Sequence, residues 1–159
     1  MLTLEQMIFR LVVAILLGAL VGLERELAGR EAGLKTGLMV AAGSAMFTII
    51  GLQLPYVIAL SAQNLPDIIA RNSGFLAVIA NIVVGVGFLG AGVIIKTEKH
   101  VHGLTTAAGI WVTSAIGVMV GIGLVQFASF AAAVITCLFY VIHKSGIEDR
   151  IRPAEAEEL

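Results

Sequence analysis

The chain has 159 residues, of which 58% are hydrophobic and 13% charged, with a formal net charge of −1. An average soluble domain carries roughly 25% charge, so this composition suits lipid as solvent, in keeping with a mean hydropathy of +1.00. A charge so near zero gives no reason to expect nucleic acid as a partner. The single cysteine, Cys137, excludes a disulfide framework.

Crossing about 30 Å of hydrocarbon takes about 20 helical residues. Five windows of the sequence qualify: 4–23, 37–54, 74–95, 105–121 and 124–143. The first has neither a basic leader nor a small-residue cleavage site before Glu24, so it is expected to be kept as a span. Arg10 lies at least a turn inside it and Glu24 at its end. Residues 11–23 between them supply about 20 Å of helix, less than the hydrocarbon thickness. The two must therefore snorkel, find partners or line a wet cavity. At 100° per residue they fall within about 40° of one stripe, which Gln6 shares.

The stretch that follows carries Glu24, Arg25, Glu26, Arg30, Glu31, Lys35 and Thr36. Glu26 and Arg30 have the favoured i,i+4 order of a helical ion pair. The first helix is thus expected to run beyond the membrane, with Gly29 and Gly33 ending it and turning the chain into the second span. That span offers Ala41, Gly43, Ser44 and Ala45 for close packing. In the connection 55–73, Asn64-Leu65-Pro66-Asp67 suggests a turn, and Asp67 and Arg71 have the spacing of a short helix with an ion pair.

The third span holds Asn81, the deepest amide, and the dense run Gly85, Gly87, Gly90 and Gly92. The run spells GxGxxG, but it follows an apolar stretch and no acid lies at the distance a dinucleotide site needs. Glycine weakens a helix by about 1 kcal/mol relative to alanine, so a bend or break near residues 87–92 is possible beside the simpler reading of close helix crossing. In the next connection, Lys96 and Lys99 stand beside His100-x-His102, a histidine pair without the third ligand a metal site requires. Thr105 and Thr106 open the fourth span, where hydroxyls cap free N–H groups or help a helix N-terminus hold an anion. Gly117-xxx-Gly121 repeats the small-residue spacing of Gly18-xxx-Gly22. Gly121-Ile122-Gly123 reads as a tight hairpin into the fifth span, which offers Ala128, Ala131, Ala132 and Ala133. The residues 147–159 are polar, with Pro153 followed by Glu155, Glu157 and Glu158, and read as a disordered tail.

The fold class expected is therefore an all-α membrane protein of five transmembrane helices, with a helical domain over 1–146 and a short polar tail over 147–159. Arg25, Arg30, Lys35, Lys96, Lys99, Lys144, Arg150 and Arg152 lie on one side of such a bundle, and Arg10 and Arg71 on the other. Basic loops stay in the cytoplasm, which places the N-terminus outside and the C-terminus inside. Spans without Asp or Glu near their middle argue against a carboxylate-lined cation path. No nucleophile set, metal cluster or paired carboxylate stands out, so neither catalysis nor a cofactor nor a metal is expected.

Four motifs then stand in order: Gly22-Leu-Glu-Arg-Glu26, Gly33-Leu-Lys-Thr36, Gly85-Val-Gly-Phe-Leu-Gly-Ala-Gly-Val93 and Gly103-Leu-Thr-Thr-Ala-Ala-Gly-Ile-Trp111. In sequence and spacing, over about residues 5–125, they resemble the MgtC/SapB family of bacterial inner-membrane proteins. The resemblance implies growth under low magnesium and, in some bacteria, virulence, with a regulator acting on other membrane proteins as the best-known case. Many members carry an ACT-like domain after the last span, for which this chain is too short. Lys35 and Gly37 stand where the family usually has Arg then His, and Asp67 and Arg71 lie upstream of the family's acidic–basic pair. The function expected is that of a non-enzymatic inner-membrane regulator in the lipid bilayer, a homodimer acting through other membrane proteins. A transporter or channel for a small ion is the alternative. Glu24, Arg25, Glu26, Lys35, Thr36, Thr105 and Thr106 are the candidate site, Arg10 and Asn81 the embedded polar residues. Gly18, Gly22, Gly85, Gly87, Gly90, Gly92, Gly117 and Gly121 are the candidate packing positions.

Overall fold

The computed structural model describes residues 1–59, 66, 68, 74–97 and 101–145. Five of its helices are long and apolar enough to cross a membrane. They are α1 (Leu4–Leu27), α2 (Leu34–Ile58), α3 (Gly74–Gly92), α4 (Leu104–Ile122) and α5 (Val125–Ser145). Asp67, Arg71, Lys99, His100 and the tail 147–159 lie outside the described residues, so the expectations placed on them go no further.

Capping chemistry sets the helix ends. Thr3 starts α1 with a full capping box: its hydroxyl accepts from the Gln6 N–H, and the Gln6 side chain accepts from the Thr3 N–H. Gln53 of α2 holds the same end by exchanging two hydrogen bonds with the Leu2 backbone. Helix α1 does run on past residue 23, to Leu27. Helix α2 begins three residues earlier than its apolar stretch, because Leu34, Lys35 and Thr36 form its first turn, and it continues through Pro55 to Ile58. Between α4 and α5, Gly123 adopts φ 109°. Its N–H bonds to the Val120 carbonyl and that of Leu124 to the Met119 carbonyl, the Schellman pattern that favours glycine.

The third helix is continuous from Gly74 to Gly92, without a break at its glycines, which leaves the simpler of the two readings. It stops short of residue 95 because Ile95–Lys96 (β1) pairs antiparallel with Val101–His102 (β2), in a small hairpin leading into α4.

The buried centre is made of small side chains. Ala14, Ala45, Ala128 and Ala132 join Val21, Ile116 and Val120 in one cluster, while Phe88, Phe127 and Phe130 point outward. Lipid supplies no hydrophobic drive for helix association, so close backbone approach does the work. At the α1–α2 crossing, a Cβ on Gly18 would sit 2.5 Å from the Gly37 carbonyl oxygen, and one on Gly37 the same distance from that of Gly18. Gly22 abuts Gly33 and Leu34 in the same way. At the α2–α4 crossing Gly117 abuts Ala41 and Ser44, and Gly121 abuts Ala45 and Thr48. The Ser44 and Ser114 hydroxyls share a buried 2.7 Å hydrogen bond across it. Gly90 makes ordinary contact with Ala107, whereas a Cβ at Gly85, Gly87 or Gly92 would meet no other described residue within 4 Å.

Candidate functional site

One end of the bundle gathers the finish of α1 and the starts of α2 and α4. The last turn of α1 there carries Glu24 and Arg25, and burial decides their behaviour. They are 8% and 5% exposed, and the Arg25 Nε lies 3.1 Å from the Glu24 Oε2. The guanidinium also stacks 4.2 Å from the centre of the Phe139 ring of α5, an arrangement that stabilises a desolvated cation. Gly109 of α4 lies alongside both. A charge held this deep in a membrane bundle is retained only where partners offset its desolvation. Arg25 thus ties α1 to α4 and α5 at this end.

Beside Arg25 a small cavity of ≈10 Å³ opens between α1, α2 and α4, room for a single water-sized body. Arg25, Thr36, Thr106 and Thr113 give it polar walls; Val21, Gly22 and Ile110 are among its apolar ones. Thr113 returns its hydroxyl to the Gly109 carbonyl at 2.8 Å. Thr36 and Thr106 each occupy the third position of a helix, after the N-caps Gly33 and Gly103. Neither glycine supplies a side-chain cap, and through Thr36 and Thr106 the first turns of two helices line the cavity that Arg25 also lines.

Of the seven residues proposed from sequence, Arg25, Thr36 and Thr106 meet at this cavity. Glu24 lies beside Arg25 and turns to an apolar groove of ≈650 Å³ between α1 and α5, where Thr136, Tyr140 and His143 also lie. Glu26 is exposed and acts locally: its Oε2 accepts the Leu34 N–H at 2.7 Å, satisfying the α2 N-terminus that Gly33 leaves uncapped. Lys35 and Thr105 are exposed and line neither space.

Arg10 sits at the opposite end. Its Nη1 donates to the Gly121 carbonyl at 2.7 Å, placing a cation on the C-terminus of α4 where the helix dipole favours it. It is therefore not paired with Glu24, although the two share a stripe of α1. Asn81 is exposed on α3 and lines an apolar groove of ≈570 Å³ shared with α2. Phe139, Gly109 and Thr113 are the site residues that sequence reasoning passed over. Gly109 stood within the Gly103–Trp111 motif and could have been included; Phe139 had no signal, being one aromatic in an apolar span.

The chain matches the MgtC family profile over residues 11–146. It is 38% identical over 150 residues to "Protein MgtC" of Salmonella typhimurium LT2, covering 94% of this chain and 58% of that protein. With "Putative magnesium transporter YhiD" of Escherichia coli K12 it shares 33% identity over 142 residues, 87% of this chain and 61% of the relative. With "Protein SrpB" of Synechococcus elongatus it shares 41% over 126 residues, 74% and 64% of the two. The chain thus spans about three fifths of the length of these curated relatives. No solved structure matches it. Five apolar helices and a profile match across nearly all of them lead to one conclusion: this multi-pass membrane protein belongs to the MgtC family.

Proposed function

We propose that the protein is a regulator in the bacterial inner membrane, linked to magnesium homeostasis or virulence, that acts through other membrane proteins rather than by catalysis. The N-terminus lies outside and the C-terminus in the cytoplasm, as the basic loops favour. The polar end formed by Glu24, Arg25, Thr36 and Thr106, with Lys35 and Thr105 on its rim, then faces the cytoplasm. The observation that supports regulation over conduction is the packing beneath that end. Backbones of α1, α2 and α4 touch at Gly18, Gly37, Ala41 and Gly117, so the cavity at Arg25 continues into close-packed helix crossings. The working form is a homodimer, consistent with the open space that α3 leaves among the described residues at Gly85, Gly87 and Gly92.

Complementation of a deletion strain growing in low magnesium tests this. Lys35→Glu and Thr105→Val, on the exposed rim, are expected to lose complementation while the protein still reaches the membrane at normal level. Full complementation by both variants would overturn the assignment of the rim to partner binding. The second reading, magnesium transport, is favoured by the name of the Escherichia coli relative. Magnesium flux into proteoliposomes containing only this protein would establish it; regulation predicts flux no greater than in empty vesicles.

A further inference from the structure

The groove between α1 and α5 is lined by polar atoms that the described residues leave unsatisfied. Glu24 is 8% exposed and lines this space of ≈650 Å³. Its Oε2 lies 3.1 Å from the Arg25 Nε but accepts no hydrogen bond among the described residues. Thr136 of α5 lines the same groove, and its Oγ1 is likewise buried without a hydrogen-bond partner there. A buried polar atom left unpaired is costly, and a charged one more so, so an occupant that hydrogen-bonds to both is favoured. The walls define the rest of its chemistry. Leu20, Leu23 and Leu27 run along the groove as one exposed apolar stripe of α1, suited to an acyl chain. Glu24 stands three residues before the end of α1, about 5 Å along the axis, which puts it at the headgroup border. His143 lines the groove at the last turn of α5, and the Lys144 ammonium lies 5.7 Å from the centre of the Tyr140 ring, another part of the wall. An acid inside and basic groups at the rim complement a zwitterion. A primary ammonium brings three N–H donors for the carboxylate; a trimethylammonium brings none.

We propose that the α1–α5 groove is a binding site for a phospholipid with a primary-ammonium headgroup, phosphatidylethanolamine in a bacterial membrane. The ammonium donates to Glu24, the phosphate meets Lys144 and His143, the Thr136 hydroxyl donates to a lipid oxygen, and one acyl chain follows Leu20 and Leu23. The volume lies within the range of about 300–1,000 Å³ usual for small-molecule sites. The site goes beyond the regulatory reading and is independent of whether the protein acts on a partner or moves magnesium.

Thermal unfolding of the full chain, delipidated in detergent, tests it with phosphatidylethanolamine, phosphatidylcholine and phosphatidylglycerol of the same acyl chains. Phosphatidylethanolamine at ten times its half-saturating concentration is expected to raise the midpoint by roughly 3–6 °C. Phosphatidylcholine, methylated at the nitrogen, is expected to require at least tenfold more lipid for the same shift, and soluble O-phosphoethanolamine to give no shift. Glu24→Gln, which keeps the shape of the side chain, is expected to erase the preference for the ethanolamine lipid over the choline lipid. Thr136→Val is expected to raise the half-saturating concentration of both. No shift with phosphatidylethanolamine would overturn the proposal and leave the groove to bulk lipid or to a helix of another protein. Equal responses to the three lipids would reduce it to an acyl slot without headgroup recognition, and an equal response to O-phosphoethanolamine to an amine site without a chain; either overturns it. So does an unchanged preference in Glu24→Gln. Should that variant fail to fold, native mass spectrometry of the wild type decides. Retention of phosphatidylethanolamine over phosphatidylcholine from an equimolar mixture supports the site, and equal retention overturns it.

Discussion

The crossings of α1, α2 and α4 and the outer flank of α3 use the same amino acid for opposite results. Gly18, Gly37 and Gly117 stand where a single added methyl would strike a neighbouring backbone; at Gly85, Gly87 and Gly92 it would meet no other described residue within 4 Å. Over their most apolar stretches α4 buries 56% of its residues and α3 only 11%. Polar groups divide in the same way. Ser44 and Ser114 find each other in the packed region, and Arg25 has Glu24 and Phe139. Asn81 on α3 looks onto an apolar groove. Glycine density is thus a poor guide to contact. What matters is whether a glycine faces another backbone, and in the densest run of this chain only Gly90 does so among the described residues.

The largest expected effect lies where the packed region holds charge. Arg25→Ala removes the cation beside a Glu24 that is 8% exposed, and breaking such a buried pair costs about 3–5 kcal/mol. Denaturation in mixed micelles should show that loss. Glu24→Gln added to Arg25→Ala should recover much of it, since the stranded charge is then gone. If the double variant is as unstable as the two single losses combined, the pair is not the source of the stability.

Next comes the α1–α2 crossing. A methyl on Gly18 meets both the Gly37 carbonyl and the Ala41 Cβ, and both helices must move apart to admit it. Overpacking of this kind costs about 1–3 kcal/mol, so Gly18→Ala should lower stability by that amount. A neutral result would show that the crossing is looser than these contacts describe. The Ser44–Ser114 hydrogen bond is the smaller test within the same region. A double-mutant cycle with alanine at both positions should give a coupling of about 0.5–1.5 kcal/mol, and a coupling near zero would mean that each hydroxyl has an alternative partner.

Much of this fold was legible in the sequence because lipid imposes length and polarity rules that single segments must obey. The five windows, the tight turn at Gly123 and the extension of α1 to Leu27 all followed from such local rules. Two ends were misjudged for local reasons as well. Leu34, Lys35 and Thr36 are polar enough to read as loop yet form helix, and residues 93–95 are apolar yet leave α3 to begin the hairpin. The site was harder. In a soluble protein, amphipathic periodicity sets which face of a helix is buried, but α2 and α4 are apolar all round and carry no such phase. Sequence therefore named Thr105 and Thr106 together, though one residue of helix turns about 100°, and only Thr106 reaches the cavity. Lys35 and Thr36 divide in the same way. Phe139 was out of reach because its role depends on how α5 lies against α1, a relation that no local pattern encodes.

The smallest expected effect has the opposite sign, and for that reason tests the comparison most directly. Gly87 has open space where a Cβ would stand, and glycine within a helix is less favourable than alanine by about 0.8–1.0 kcal/mol. Gly87→Ala should therefore stabilise the chain by up to about that amount while Gly18→Ala destabilises it, both measured by denaturation in the same micelles. Loss of stability at Gly87 would mean that this flank of α3 is covered in the assembled protein. Dilution then separates the causes. A destabilisation that disappears at low protein concentration belongs to contact between copies of the chain, and one that persists belongs to α3 itself. In the homodimer proposed above, Gly85 and Gly92 fall about 20° apart on the helix and Gly87 about 150° from their mean direction. A dimer formed through Gly85 and Gly92 would leave Gly87 free, so stabilisation by Gly87→Ala together with loss of the dimer in Gly85→Leu would assign the two sides of α3 separately, one to lipid and one to the partner copy.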